Sequence, residues 1–185
     1  CSDLVGADWR PNLEHTFAHM VKCAEIFVET IALALGQDLE QFRSYCNGGD
    51  TISLLRLFFY HAADPSYPNS IGSSPHTDWG FLTIILQDQV GGLQFLANGE
   101  WKVVPCARGL VVNCGDYLSL LSRGRYHSPV HRVLCPPIDR VSYVFFYYPS
   151  YDATLDVSQW TPAASYEYNT LLDHDVQAAQ ATEAK

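Results

Sequence analysis

Two imidazoles and a carboxylate carry the most specific chemistry in this sequence. Pro75-His76-Thr77-Asp78-Trp79-Gly80 supplies a His-X-Asp pair, and His131-Arg132-Val133 supplies one more His much later. Two His and one carboxylate can cap one face of an octahedral Fe(II), leaving three positions for small ligands and oxygen. On a strand or strand end, residues two apart leave the same face, so one ion can collect both His76 and Asp78. His131 then arrives from a strand distant in sequence. An isolated HxD arises by chance. The specific part is HxD, a distal HRV and Arg140-Val141-Ser142 in this order, on a strand-rich background.

Other histidines compete poorly. His127 lies four residues before His131 and can keep the same strand face, which makes it the alternative third ligand; the HRV context favours His131. His15 and His19 stand at i and i+4 on a helix, a chelating spacing, but no Glu lies between them in an HExxH pattern and a solvated face explains both. His61 and His174 have no partner pattern and read as surface or loop residues.

The elements that must position these groups follow from periodicity. Between Asn12 and Leu35, Leu13, Phe17, Met20, Ala24, Phe27, Ile31 and Leu35 recur at spacings of three and four, the stripe of an amphipathic helix. Asn12 suits its N-cap and Gly36 its C-terminal stop. A second helix is expected over Asp38–Tyr45, then a turn at Asn47-Gly48-Gly49-Asp50. Strands are expected at Ser53–Tyr60, Phe81–Gln87, Leu93–Leu96, Trp101–Val104, Gly109–Asn113, Tyr117–Leu121, Ser128–Leu134 and Arg140–Tyr148, with Asn98-Gly99 as a hairpin turn. Residues 61–75, rich in Pro, Ser and Asp, read as a loop leading to the HxD pair. Asn113 and Asp116 read as turn-shaping residues. Phe146 and Trp79 are candidates for either pocket lining or core. Many short strands parted by Gly, Pro and Asn predict a β-sandwich or barrel, and Tyr166–Ala179 suggests a terminal helix.

At 185 residues the chain can bury one good core. Its net charge of −9, from 20 acidic and 11 basic residues, disfavours a nucleic-acid partner, which needs clustered Lys and Arg. No apolar run approaches membrane-spanning length, and no signal-peptide pattern opens the chain. The six cysteines form no CxxC and no dense framework. They read as reduced thiols of an intracellular, cytoplasmic protein, a compartment that also suits Fe(II). A first residue of Cys1 rather than Met suggests a fragment or a processed product.

With these motifs laid out, the sequence resembles the 2-oxoglutarate- and Fe(II)-dependent dioxygenases, in the isopenicillin N synthase-like branch that includes plant flavonoid and gibberellin oxygenases. The resemblance rests on His76-Thr77-Asp78-Trp79-Gly80, Leu82-Thr83, Gly91-Gly92-Leu93-Gln94, Trp101, Val112-Asn113-Cys114-Gly115-Asp116, His131-Arg132-Val133, Arg140-Val141-Ser142, Phe146 and Pro149. It implies a double-stranded β-helix, a cupin-like jelly roll flanked by α-helices. Residues 51–150 would form the core, residues 1–50 a helical segment packed on it, and residues 151–185 a helical C-terminal extension. A missing N-terminal region beside the barrel is also implied.

The resemblance further implies Fe(II) on His76, Asp78 and His131, with 2-oxoglutarate and O2 as co-substrates. The far carboxylate of 2-oxoglutarate would sit on Arg140, whose guanidinium can grip both oxygens, with the Ser142 hydroxyl on the same strand face. Taken alone, Arg140 and Ser142 read equally as a surface strand pair. Tyr60 matches a position whose hydroxyl contacts that co-substrate; without the resemblance it reads as a core aromatic. The residue two before it is Phe58 where the family often has Asn. The expected activity is hydroxylation or desaturation of a small organic molecule with release of succinate and carbon dioxide. Two alternatives stay open: a 2-oxoglutarate-independent iron oxidase of the isopenicillin N synthase type, and a non-catalytic jelly-roll binding domain or inactive fragment.

Overall fold

The computed structural model describes residues 9–47, 52–66, 70–106 and 108–154; Gly48–Asp50, His174 and the expected terminal helix lie outside them. Helix α1 (Trp9–Leu35) and helix α2 (Leu39–Asn47) come first. Eight strands follow: β1 (Leu54–Tyr60), β2 (Ile71–His76), β3 (Leu82–Gln87), β4 (Leu93–Ala97), β5 (Glu100–Val103), β6 (Val111–Cys114), β7 (His131–Leu134) and β8 (Arg140–Tyr147). A short helix, α3 (Asp116–Leu121), separates β6 from β7. The strands form two antiparallel sheets, ordered β1-β8-β3-β6 and β2-β7-β4-β5. This is the double-sheet jelly roll that the resemblance implies, and one form of the sandwich or barrel that the strand spacing predicts.

Two cores divide the burial. Between the sheets, Ile85, Leu93, Val133 and Val144 pack together with Phe58, Tyr60 and Phe146 at their margin. On the outer face of the β1-β8-β3-β6 sheet, Leu82, Ile84, Phe145 and Tyr147 meet Met20, Ala24, Val28, Ile31 and Phe42 from the helices. Strand alternation makes this possible: odd residues of β8 face the helices and even residues face the interior. Phe145 is fully buried, and its ring meets Phe17 of α1 edge-on at 5.2 Å.

The helix boundaries follow local chemistry. Gly36 takes φ +66°, with Gly36 N–H donating to Leu33 O and Gln37 N–H to Ala32 O, both at 3.0 Å. That pair of bonds is a Schellman stop, which needs the left-handed residue glycine tolerates. Asp38 caps α2 through Oδ1, which accepts from Gln41 N–H at 2.8 Å. The N-terminus of α1 differs from expectation: the helix already includes Trp9, so Asn12 is not its cap. Phe27 also leaves the expected stripe, at 39% exposure, and Val28 is buried in its place. A step of four from Ala24 keeps the sheet-facing side, where the step of three turns Phe27 away.

Two further departures concern the strands. Tyr117–Leu121 is helical, not extended, because its first N–H groups find carbonyls of another segment rather than a neighbouring strand. Asp116 N–H donates to Asp78 O at 2.7 Å and Tyr117 N–H to Gly80 O at 3.2 Å. Its spacing then buries Leu118 against Phe81 and Phe145. Residues 71–75 of the expected loop join His76 in strand β2, an edge strand whose register slips twice against β7. Pro75 and Gly72 obscure it, and an edge with broken register is where both are tolerated. The Asn98-Gly99 turn behaves as its residues require, with φ of 54° and 76° joining β4 to β5.

Phe145→Ala should cost about 3–5 kcal/mol of stability. Urea denaturation checks this: the midpoint falls with little change in slope, whereas an unchanged midpoint would mean the two helices do not brace the sheet.

Candidate metal and co-substrate site

His76 ends β2 and His131 begins β7, and the two are direct cross-strand partners with ring centroids 4.3 Å apart. Asp78 follows in the loop after β2. Its Oδ1 lies 3.8 Å from His76 Nε2 and its Oδ2 3.6 Å from His131 Nε2. One ligand atom from each of the three lies within 4.8 Å of the others, and no other such group occurs among the described residues.

The imidazoles are oriented from behind. His76 Nδ1 lies 2.7 Å from Ser74 O, and His131 Nδ1 lies 3.1 Å from Pro129 O. A carbonyl can only accept, so each Nδ1 carries the proton and each Nε2 turns its lone pair toward Asp78. Burial pushes the His131 pKa below its ordinary value, against the opposing pull of the Asp78 carboxylate. The neutral ring that a metal requires is therefore favoured.

Asp78 is 5% exposed. Asn113, an inward residue of β6, donates from Nδ2 to Asp78 Oδ2 at 2.9 Å. Thr77 donates its hydroxyl to Asp116 Oδ2 at 3.0 Å, and Asp116 N–H reaches Asp78 O. These contacts hold the HxD loop against the start of α3, where glycine is a steric necessity. A Cβ on Gly115 would stand 2.0 Å from Gly80 O, and a Cβ on Gly80 would stand 2.8 Å from Tyr147 O.

The same cavity continues from the triad to Arg140 and Ser142, walled by Phe58, Tyr60, Thr83, Ile85, Leu93, Val133, Val144 and Phe146. Arg140 is 1% exposed and stacks its guanidinium over the Tyr60 ring at 4.9 Å. Its Nη2 donates to Gln87 Oε1 at 3.1 Å, while Nε and Nη1 have no partner among the described residues. A buried cation with open donors beside a hydroxyl is a receptor for a carboxylate. Burial raises the Tyr60 phenol pKa, with the Arg140 charge opposing, so the hydroxyl keeps its proton. Gly72 lets that ring lie flat on β2, since a Cβ there would meet Tyr60 Cδ1 at 2.9 Å.

All six residues singled out from the sequence, His76, Asp78, His131, Tyr60, Arg140 and Ser142, line this one cavity. His127 is exposed and outside the cluster, and His15, His19 and His61 are also exposed. Trp79 is 77% exposed and belongs to neither core nor cavity, whereas Phe146 lines the cavity. Asn113 is a partner of the ligand carboxylate rather than the turn residue its type suggests, and Gln87 joins the site with no motif to mark it. Alternation offers the signal for both, because each places an amide on the inward face of an otherwise apolar strand.

Asn113→Ala should weaken Mn(II) binding about 10–100-fold while the fold persists, as measured by calorimetric titration beside a melting curve. Gly115→Ala should lower both metal affinity and melting temperature, because backbone must move. Unchanged metal affinity in both variants would detach the β6–α3 corner from the site.

Comparison with known proteins agrees with this geometry. Residues 51–149, just over half of the chain, match the 2OG-Fe(II) oxygenase superfamily. The chain is 42% identical over 133 residues to gibberellin 2-beta-dioxygenase 7 of Arabidopsis thaliana, a match covering 68% of this chain and 39% of that protein. It is 36% identical over 157 residues to the 2-oxoglutarate-dependent dioxygenase citB of Monascus ruber, covering 81% and 46% respectively. The chain thus spans less than half the length of these relatives. Among solved structures, the dioxygenase for auxin oxidation 1 from Arabidopsis thaliana, in its binary complex with 2-oxoglutarate, superposes with a TM-score of 0.67 at 28% identity, over 78% of this chain and 54% of that one. Fe(II) and 2-oxoglutarate, which define the superfamily, fit what the cavity offers: two oriented imidazoles with a buried carboxylate, and a buried guanidinium with open donors. The chain belongs to the 2OG-Fe(II) oxygenase superfamily.

Proposed function

We propose that this chain forms the catalytic core of an oxygenase that uses Fe(II), 2-oxoglutarate and O2 to hydroxylate or desaturate a small organic molecule. The observation that carries this reading is the single cavity joining the His76–Asp78–His131 cluster to the buried Arg140 guanidinium. When bound, the iron and its co-substrates supply oxidising power through decarboxylation of 2-oxoglutarate to succinate and carbon dioxide. His76 and His131 serve as neutral ligands through Nε2 and Asp78 as the anionic one. Together they leave a net single positive charge on the divalent metal.

Arg140 takes the distal carboxylate of 2-oxoglutarate, Ser142 adds a hydroxyl from the same strand face, and the protonated Tyr60 flanks the guanidinium. The apolar wall of Ile85, Leu93, Val133 and Val144 excludes water between the two ends, which strengthens each electrostatic contact there. Gibberellin 2-beta-dioxygenase 7 and citB support a small-molecule substrate by their names. Residues 51–150 act as the catalytic unit, in the isopenicillin N synthase-like branch to which the motif spacing points. The free thiols Cys23, Cys46, Cys106, Cys114 and Cys135 support a reducing, cytoplasmic setting. Among the described residues no helix is long and apolar enough to cross a membrane.

Anaerobic titration with Fe(II) and 2-oxoglutarate tests the reading through the visible charge-transfer band of the chelate. The wild type should show the band, His131→Ala should abolish it, and Arg140→Ala should weaken co-substrate binding by roughly 1.5–3 kcal/mol, about 10–150-fold. Iron binding without a band would transfer the chain to the 2-oxoglutarate-independent oxidases. No iron binding by folded protein would leave a non-catalytic domain.

A further inference from the structure

Arg140 is held by more than its own strand. Gln87, at the end of β3, is 8% exposed, and its Oε1 accepts from Arg140 Nη2 at 3.1 Å. A guanidinium can only donate, so the amide turns its oxygen to Arg140, and its Nε2 points the other way, 3.5 Å from Pro105 O. The next residue, Asp88, clamps the backbone beside Arg140. Its Oδ2 accepts from Val141 N–H at 2.6 Å, and its own N–H donates to Val141 O at 3.3 Å. Tyr60 closes one flat face of the guanidinium. Edge, face and backbone are thereby fixed, and the donors left over are Nε–H, the two Nη1–H and the second Nη2–H.

We propose that Gln87 is a positioning residue for co-substrate selection: it turns the Arg140 guanidinium so that its remaining donors meet the distal carboxylate of a 2-oxo diacid. This inference rests on the oxygenase reading above and adds a determinant of which 2-oxo acid is accepted. The physical reason is neutrality. An amide oxygen satisfies one donor of a buried guanidinium without cancelling its charge, so the full positive charge remains for the ligand. A carboxylate at the same place would pair with Arg140 and compete with the co-substrate. An apolar side chain would leave Nη2 unsatisfied and the guanidinium free to rotate.

The test compares two ligands on the Mn(II)-loaded chain by calorimetry: 2-oxoglutarate, and 2-oxopentanoate, which has the same chelating head and no distal carboxylate. Wild type should prefer 2-oxoglutarate strongly. Gln87→Met, close in volume, should cut that preference about ten- to hundredfold by weakening 2-oxoglutarate alone. Gln87→Glu should cut it at least as far. Mn(II) affinity and 2-oxopentanoate affinity should stay as in wild type in both variants, which a general loss of packing would not allow. A preference retained in whichever variant folds, as judged by melting, overturns the role of Gln87. A wild type that binds neither 2-oxo acid overturns the oxygenase reading itself.

Discussion

The two-residue period of β8 is the constraint on which both halves of the molecule depend. This strand lies between β1 and β3 and is covered on both sides. Its even residues, Arg140, Ser142, Val144 and Phe146, build the cavity, while Phe145 and Tyr147 anchor the helices. A slip of one residue would exchange the two sets, turning the Arg140 guanidinium out of the cavity and the Phe145 ring into it. The register is fixed by seven pairings with β1 and six with β3, and by the helices that grip Phe145. Packing outside the barrel therefore keeps the chemistry inside it in order.

The metal end depends on a different device. Asp78 lies beyond the last residue of β2, so no sheet ladder positions it. Its backbone carbonyl instead receives the first N–H of α3, and its side chain receives the Asn113 amide. The backbones of Gly80 and Gly115 touch behind it. Carboxylate, loop and helix start thus form one rigid corner, while the two histidines are registered by strand pairing. Rigid elements meeting at the ligand atoms are what a reproducible coordination geometry requires.

Much of this is legible in the sequence because spacing survives folding. Arg140 and Ser142 share a face through a two-residue step, the short His76–Asp78 spacing keeps that pair together although Asp78 lies past the strand end, and Asn98-Gly99 can hardly do other than turn. The departures have a common source. Tyr117–Leu121 looks extended because its residues favour strands, yet its helical state is settled by carbonyls of Asp78–Gly80, contributed by a segment nearly forty residues earlier. Phe27 looks like core because spacings of three and four both fit a stripe, and only the sheet beneath decides between them. Alternation puts Gln87 and Asn113 on the inward face, but their partners, Arg140 and Asp78, come from segments far along the chain that no local pattern names.

The buried Arg140 gives the protein a sensitivity to its medium. Desolvating a guanidinium while leaving Nε and Nη1 without partners among the described residues is costly, and a small anion that enters the cavity would relieve part of that cost. Ligands that bind only the folded state raise its stability in proportion to the logarithm of their concentration. Sulfate, phosphate and simple dicarboxylates in a purification buffer are therefore expected to raise the melting temperature and to compete with a carboxylate ligand for Arg140. One unneutralised buried charge thus makes the anion content of the solvent a variable in every comparison of stability.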